Sequence, residues 1–238
     1  MGLFNSSKVA SKCGECGLRG PGYFCDLSST TLQRFQAIKI TNSYPKGAHL
    51  YVEGQPMNGV FMLCRGRVKL TTHSRNGRSL ILRVAVPGEI LGLSAAISGS
   101  VSESTAEAIE PCQVNFVLKS DFQRFLEQNP DAGINALHQL NRKYRTAYMQ
   151  IRSLGLSARV ADKLALLLLE WSKHEPSNNG SVHLRNPYSH EEIAEMIGTS
   201  RETVTRILKD FRSRDLISID GANLYIRDTR NLEAAIGS

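Results

Sequence analysis

The sequence predicts an α+β fold in three parts: an N-terminal β-roll of the jelly-roll type, a long dimerisation helix and a C-terminal winged helix-turn-helix. Turn dipeptides recur through residues 40–118, an apolar heptad pattern runs along residues 129–153, and two short helices flank a glycine turn within residues 189–215. These patterns are typical of the three parts in that order. The predicted boundaries are 1–28 for a cysteine-rich segment, 29–128 for the β-roll, 129–156 for the helix and 157–238 for the winged helix-turn-helix.

The β-roll is predicted from the spacing of its turns. Glycine dipeptides such as Asn58-Gly59 and Pro87-Gly88 separate short apolar or alternating runs, including residues 60–63 and 80–84. Glycine adopts the positive φ that tight turns need, so each dipeptide marks the end of one strand and the start of the next. Many short strands at regular spacing favour a sandwich or a jelly roll.

The long helix is predicted from apolar residues that recur three and four positions apart. Symmetric pairing would bury this seam between two copies of the chain, which we favour, and packing against the β-roll of the same chain is the alternative. A second helix is expected from Ala158 to Ser172, with Ser157 as its cap. The predicted homodimer contacts are Leu137, Leu140, Tyr144, Ala147, Ile151 and Leu154.

The helix-turn-helix is predicted from two helix starts and one helix end. Ser189 with Glu192, and Thr199 with Glu202, have the S/T-x-x-E spacing of a capping box. Gly198 follows an apolar set and can take the left-handed conformation that ends a helix. Residues 216–227 add two short strands around an Asp-Gly turn, which predicts a wing.

The second of these helices has one apolar face and one polar face. Val204, Ile207, Leu208 and Phe211 follow the spacing of a buried helical stripe. On the other face, an arginine fork fits the two acceptors of guanine and a carboxylate accepts from the amino group of cytosine. An ordinary surface ion pair between Glu202 and Arg206 is the alternative. The residues predicted to bind double-stranded DNA are Ser189, Thr199, Ser200, Arg201, Glu202, Thr205, Arg206 and Lys209.

Charge and composition restrict the function further. The net charge of +7 suits a nucleic-acid partner, but residues 159–238 hold one more acidic than basic residue, so the attraction would be confined to the second helix of the motif. No apolar run is long enough to span a bilayer, so we expect a cytoplasmic protein without a membrane partner. The sequence contains no nucleophile elbow, zinc-protease or P-loop motif, and we expect no enzyme activity.

The run from Gly198 to Leu208, GTSRETVTRIL, resembles the recognition helix of the CRP/FNR family of bacterial transcription regulators. The resemblance implies that Arg201, Glu202 and Arg206 contact bases, in half-sites closer to TGTGA than to TTGAT. It also implies a homodimer on a palindromic site, RNA polymerase as a partner, and an effector domain that is a cyclic-nucleotide-binding-like β-roll.

The family's effector pocket is only partly matched. Residues 88–92, GEILG, resemble the start of its phosphate-binding segment, but Leu93 stands where cyclic-AMP binders have a ribose-binding glutamate. Glu103 stands where they have an arginine, and a carboxylate there repels phosphate. Cyclic AMP is therefore not the expected ligand, and another small molecule, cationic or neutral, is an alternative effector. The predicted pocket comprises Gly88, Glu89, Leu91, Gly92, Leu93, Glu103 and Ser104.

Three of the five cysteines form a C-x2-C-x8-C array, at Cys13, Cys16 and Cys25, in a glycine-rich segment. Iron–sulfur clusters are held by four cysteine thiolates, often including a C-x2-C pair. The array resembles that of FNR, in which three N-terminal cysteines and one in the β-roll hold a [4Fe-4S] cluster that oxygen destroys; the resemblance implies Cys112 as the fourth ligand. Zinc, a thiol redox pair or no metal are the alternatives. Cys64 is expected in the core.

These expectations combine into one hypothesis of regulation. A cysteine centre sensitive to oxygen, nitric oxide or redox state would change the packing along the long helix, which would set the spacing of the two recognition helices on DNA.

Overall fold

The computed structural model describes residues 13–18, 20, 23–74, 77, 79–156, 159–172, 177–178, 180–185, 188–221 and 223–236. They form two compact units, Met1–Arg145 and Thr146–Ser238. The first contains an antiparallel β-roll and the second a helical domain with a small sheet, which confirms the predicted α+β class. No helix in these residues is both long and apolar enough to cross a membrane.

The first unit opens with a 3-10 turn at Cys13–Glu15 and helix α1 at Ser29–Ile38. Helix α1 begins after Ser28 because the Ser28 hydroxyl accepts a hydrogen bond from the amide of Thr31, which satisfies one amide at the helix start. Eight strands follow: β1 (Ile40–Tyr44), β2 (His49–Tyr51), β3 (Gly59–Arg65), β4 (Val68–His73), β5 (Ser79–Ala85), β6 (Ile90–Leu91), β7 (Thr105–Ala108) and β8 (Cys112–Leu118).

The strands of the β-roll form two four-stranded antiparallel sheets. One has the order β1-β8-β3-β6 and the other β2-β7-β4-β5. In the first sheet β3 pairs with β8, with Met62 opposite Asn115, and the register shifts between Leu63 and Arg65. The intervening Cys64 therefore lies at a β-bulge, a feature that redirects a side chain and bends its strand.

Successive residues of β3 and β8 face two different cores. Val114 and Leu63 are completely buried between the two sheets. Met62 and Val117 face the opposite side, where they share a core with Phe24 of the N-terminal segment and Phe35 of α1. Because side chains alternate along a strand, each strand divides its residues between the inter-sheet core and the helix-side core.

Helices α2 (Leu93–Ser98) and α3 (Lys119–Gln128) complete this unit, together with the first part of the long helix α4 (Pro130–Leu156). Asn129 ends α3, and its side chain donates to the Phe125 carbonyl oxygen at 2.7 Å. Pro130 then opens α4, a position where its missing amide hydrogen has no cost. The predicted long helix is present, and the division between the two units falls within it.

The second unit contains helices α5 (Val160–Ser172), α6 (His190–Ile197), α7 (Arg201–Ser213) and α8 (Thr229–Ala234). Strands β9 (Ser177–Asn178), β10 (Ser181–Arg185), β11 (Ile217–Asp220) and β12 (Asn223–Ile226) form one sheet in the order β11-β12-β10-β9. The predicted wing corresponds to the β11–β12 hairpin. The predicted cap Ser157 and helix start Ala158 lie outside the described residues.

Candidate functional site

Helix α6 begins at the predicted capping box and ends at the predicted glycine. The Ser189 hydroxyl accepts from the Glu192 amide at 3.2 Å, and the Glu192 carboxylate accepts from the Ser189 amide at 2.8 Å. Gly198 has φ 69° and ψ 46°, the left-handed conformation that a side chain disfavours. The sequence therefore locates the turn between the two helices correctly.

Helix α7 begins one residue later than predicted, and the capping box at Thr199 is wrong. The amide of Thr199 still donates to the Ala194 carbonyl oxygen, so Thr199 belongs to the end of α6. Ser200 caps α7 instead, and its hydroxyl accepts from the Thr203 amide at 3.3 Å. A hydrogen bond from its own backbone amide, then one from Ser200, lowers the pKa of Glu202. Glu202 is therefore anionic at neutral pH at the exposed start of the helix.

The outer face of α7 carries the predicted side chains in an exposed position. Val204, Ile207, Leu208 and Phe211 are buried as expected. In the described part of the chain, the ion pair on α7 joins Arg214 to Asp210 and not Glu202 to Arg206. The surface-pair alternative is therefore absent from this structure. The exposed set on the outer face is Arg201, Glu202, Thr205, Arg206 and Lys209.

One contact across the two helices was not predicted. The Thr205 hydroxyl lies 2.8 Å from Nδ1 of His190 and 2.9 Å from the Arg201 carbonyl oxygen. Thr205 therefore links α7 to the first residue of α6. His190 follows the capping serine directly, which is the only sequence signal that could have drawn attention to it.

Four cysteines lie together beside helix α1. Cys13 and Cys25 are buried in the helix-side core, and Cys64 packs against the same cluster. Burial and then the nearby thiols Cys64, Cys13 and Cys16 raise the pKa of Cys25. Burial and then Cys16 and Cys13 raise the pKa of Cys64 to about 12. The structure thus groups the three predicted N-terminal cysteines with Cys64, which is not simply a core residue.

Cys112, the predicted fourth member, does not join this group. Its thiol donates to the carbonyl oxygens of Glu110 at 3.1 Å and Arg67 at 3.3 Å, inside the inter-sheet core. The reason is strand alternation: Cys112 and Val114 share one face of β8, whereas Asn115 lies on the face that meets Cys64. The expectation that Cys112 completes the set is therefore corrected.

The cysteine group has polar neighbours on the sheet. The Asn115 side-chain amide donates to Sγ of Cys64 at 3.1 Å, and the Asn115 oxygen accepts from Lys39 at 3.2 Å and from Thr41 at 2.8 Å. Within the described ranges, no three His, Cys, Asp or Glu side chains converge as ligands of a single metal ion.

The residues of the predicted effector pocket do not all lie together. Leu93 is completely buried in the helix-side core, so its side chain does not face a ligand. Glu103 is exposed and accepts from the Ser94 hydroxyl at 3.4 Å. Glu89 forms an ion pair with Arg83 of β5, a cation that sequence reasoning missed. Leu91, Gly92 and Ser104 lie near Tyr51, whose hydroxyl bonds to Ser104 and to the Gly92 backbone, whereas Gly88 lies against the Tyr23 ring.

Side chains of helix α4 donate hydrogen bonds both to the segment around Cys25 and to the predicted pocket segment at residues 88–92. Asn135 donates to the carbonyl oxygens of Phe24 at 3.2 Å and Asp26 at 2.7 Å, on either side of Cys25. Two further side chains reach the pocket segment: Gln139 donates to the Gly88 carbonyl oxygen at 3.3 Å and Lys143 to that of Ile90 at 2.6 Å. Burial, and then the charge of Arg83, lower the pKa of Lys143 to about 8.

Comparison with known proteins identifies the two units. The chain matches the family described as "Cyclic nucleotide-binding domain" over residues 41–129 and the family described as "Crp-like helix-turn-helix domain" over residues 162–235. The chain belongs to the CRP/FNR family. It is a DNA-binding transcription regulator of this type.

The relatives of this CRP/FNR protein are regulators of similar length. The chain is 26% identical over 201 residues to the "cAMP-activated global transcriptional regulator CRP" of Pasteurella multocida, which spans 84% of this chain and 96% of that protein. It is 25% identical over 192 residues to the "CRP-like cAMP-activated global transcriptional regulator" of Mycobacterium tuberculosis, over 79% and 84% of the two chains. The fold matches the structure of FixK2 from Bradyrhizobium japonicum with a TM-score of 0.74 and 22% identity, over 84% of this chain and 98% of that chain.

The exposed apolar stripe on α4 of this CRP/FNR chain differs in part from the predicted dimerisation seam. Leu137, Tyr144 and Ile151 are 65–69% exposed, and Ala147 is exposed, whereas Leu140 is partly buried against the helix-side core. Two residues that were not predicted, Ile134 and Tyr148, are 55% and 54% exposed. They belong to the same stripe as Leu137, Tyr144 and Ile151. The side chain of Leu154, also predicted, lies outside the described residues.

Proposed function

We propose that this protein is a homodimeric regulator that binds a palindrome of TGTGA-like half-sites, recruits or contacts RNA polymerase, and is controlled by an N-terminal iron–sulfur centre. The observation that carries the DNA part is the outer face of α7. Arg201, Glu202 and Arg206 are exposed on its first two turns, and in the described chain no ion pair engages Arg206.

The chemistry of this face fits the major groove. An arginine binds the two acceptors of guanine, and a carboxylate accepts from the amino group of cytosine. The anionic state of Glu202 matches the second of these contacts. The bond from Thr205 to His190 holds α7 against α6, so the reading face is fixed relative to the helix that approaches the backbone.

The homodimer is supported by the exposed stripe on α4. Leu137, Tyr144 and Ile151 recur every seven residues, the period of a left-handed coiled coil. Large apolar side chains that stay two-thirds exposed in a protomer favour burial against a second copy. Two copies would present two recognition helices to half-sites about one turn of DNA apart.

The cysteine group fits an iron–sulfur cluster by the chemistry of its donors. Cluster iron is bound by thiolates, and each of the four thiolates of a [4Fe-4S] cluster binds a different iron atom, so convergence on one point is not needed. Cys13, Cys16 and Cys25 would supply three of them from this segment. A bound cluster would supply sensitivity to oxygen or nitric oxide, because either molecule alters or destroys it.

The segment that holds the cysteines is bonded to the proposed dimerisation helix. Asn135 of α4 binds the carbonyl oxygens beside Cys25, and Asp131 accepts from the Ser28 amide and the Thr31 hydroxyl, both at 3.1 Å. A change in the fold of the cysteine segment would therefore alter contacts at the start of α4. These hydrogen bonds would transmit a change at the cysteine centre to the proposed dimerisation helix.

One experiment tests the proposed regulation. Protein purified without oxygen is assayed for iron and sulfide, and its affinity for a TGTGA palindrome and for a scrambled duplex is measured before and after exposure to air or nitric oxide. We expect bound iron and sulfide, and a palindrome preference that changes on exposure. Protein without iron would reject cluster control and leave the DNA-binding function standing.

A small-molecule ligand in the β-roll is the second candidate. Charged groups surround the Gly88–Gly92 segment: Arg83 is paired with Glu89, and Lys143 reaches Ile90 from α4. The carboxylate of Glu103 disfavours a phosphate, so cyclic AMP, the activator by which the two relatives are named, is not the ligand that we propose. A thermal-shift series with nucleotides in air separates the candidates, because a cluster sensor should not respond to them.

A further inference from the structure

We propose that Cys64, rather than Cys112, supplies the fourth thiolate of the cysteine centre. The proposal rests on the proposed iron–sulfur control and names the residue that completes the three N-terminal cysteines. It assigns this role to a strand on which the sequence predicted only a core residue.

Cys64 and Cys112 lie on opposite faces of the same sheet. Val60, Met62 and Cys64 alternate onto the face of β3 covered by the N-terminal segment, where Cys13 and Cys25 are buried. Cys112 lies on the opposite face of the same sheet. Four thiolates of one cluster must surround a common volume, so a thiol on the far side of the sheet cannot join the other three without inverting its strand.

Cys64 also lies at a β-bulge. The pairing of β3 with β8 is in register up to Leu63 and shifts before Arg65, which leaves Cys64 outside the regular ladder. A bulge redirects its side chain and is often found next to functional sites. Here it leaves the Cys64 thiol only partly buried, whereas Leu63 is completely buried.

Polar side chains surround the Cys64 sulfur. Asn115 donates an amide hydrogen to this sulfur, and Lys39 and Thr41 hold the Asn115 oxygen, which fixes the orientation of the amide. A donor aimed at sulfur and a nearby ammonium group stabilise a thiolate ligand, in the way that outer groups tune metal sites. The Cys64 thiol also donates to the Met62 carbonyl oxygen at 3.6 Å, and the Cys112 thiol donates to two carbonyl oxygens, so the side-chain amide that donates to sulfur is the feature that marks Cys64.

The test compares two matched variants, Cys64→Ala and Cys112→Ala, with the wild-type chain. All are purified and reconstituted without oxygen, and iron, sulfide and visible absorbance are measured per folded protomer, with folding checked by circular dichroism. We expect about four iron and four sulfide ions in the wild type. We also expect loss of this content in Cys64→Ala and its retention in Cys112→Ala. A Cys64→Ala protein with the full content would overturn the proposal.

A rescue variant covers the case in which Cys64→Ala is merely unstable. Because Nδ2 of Asn115 lies 3.1 Å from the Cys64 sulfur, a thiol at position 115 would be close to the same point. We expect Cys64→Ala/Asn115→Cys to regain iron and sulfide, and Cys64→Ala/Gln113→Cys to remain without them. Equal content in the two double variants would contradict the assignment.

These outcomes separate this proposal from the proposed function. Wild-type protein without iron and sulfide overturns cluster control together with the role of Cys64, and leaves DNA binding intact. Wild-type protein with a cluster that persists in Cys64→Ala but is lost in Cys112→Ala overturns the role of Cys64 alone.

Discussion

The side chain of Asn135 donates a 2.7 Å hydrogen bond to the carbonyl oxygen of Asp26, so helix α4 is tied to the chain one residue after Cys25. A second bond from the same amide reaches Phe24, on the other side of the cysteine. Phe24 is completely buried and packs edge-to-face against Phe35 of α1, with ring centroids 5.7 Å apart. The cysteine segment is therefore attached to α4 through polar bonds and to α1 through aromatic packing.

Replacing Asn135 should uncouple the cysteine segment from α4. We expect Asn135→Ala to keep its iron and sulfide but to bind the palindrome with the same affinity before and after exposure to air. Allosteric coupling is usually a 5- to 150-fold effect, and this variant should lose most of it. His138→Ala, on an exposed position of the same helix, is the control and should respond like the wild type. A full response in Asn135→Ala would exclude this route.

The corrected start of α7 gives a stability prediction. Ser200→Ala should lower the free energy of unfolding by about 1 kcal/mol, because the Thr203 amide loses its cap. Thr199→Ala, one residue away, should change it by less than about 0.5 kcal/mol. Urea titrations of the two variants compare them directly. A larger loss in Thr199→Ala would support the capping box that the sequence predicted.

The exposed stripe on α4 gives a prediction about assembly. Leu137→Glu places a charge in the proposed dimer interface, so we expect a monomer in light scattering and weak binding to the palindrome. Its secondary structure should stay unchanged, since Leu137 is 65% exposed in the protomer. His138→Glu, on the adjacent exposed position, should remain dimeric. A dimeric Leu137→Glu protein would place the interface elsewhere.

Lys143 gives a pH prediction with a defined sign. Its folded-state pKa is lowered to about 8, by burial first and by Arg83 next, against an ordinary value of 10.5. Between these values the unfolded chain binds more protons than the folded chain, so Lys143 contributes a rise in stability as pH increases from 8 to 10.5. The rise should be about 2–3 kcal/mol. Lys143→Met should lack it in urea titrations across this range, and an unchanged slope would contradict the shift.

The parts of the fold that follow from local pattern could be predicted from the sequence. Gly198 ends α6 because it alone takes the left-handed conformation cheaply, and the burial of Val204 and Phe211 follows from helical spacing. The Asp220-Gly221 turn likewise marked the wing. Each of these features depends on residues within one or two turns of the chain, which a sequence displays directly.

Features that depend on distant residues were missed for the same reason. Which face of β8 carries Cys112 is decided by pairing with β3 and by the position of the bulge, and neither is visible in a local pattern. Leu140 satisfies the heptad spacing, but the β-roll side of the helix is available to it and partly buries it. Arg83 was missed for another reason: it stands only six residues before Glu89, but it lies on β5, outside the segment that resembles the family's phosphate-binding residues.

A substitution on α7 distinguishes base-specific binding to DNA from general attraction to its phosphates. Arg206→Ala should lose about 1–3 kcal/mol on a TGTGA palindrome and relax the base preference there, because a bidentate contact to guanine is removed. Arg212→Ala, near the end of the same helix, is the control and should affect the palindrome and a scrambled duplex equally. A loss of equal size on both duplexes for Arg206→Ala would mean that this side chain contacts phosphate only.

The most direct measurement for the central claim is the affinity of oxygen-free wild-type protein for a TGTGA inverted repeat and for a scrambled duplex of the same composition, in one buffer at moderate ionic strength. We expect the repeat to be bound at least about 10³-fold more tightly, with two protomers per duplex. Equal affinities for the two duplexes, without oxygen, in air and with added nucleotides, would contradict it.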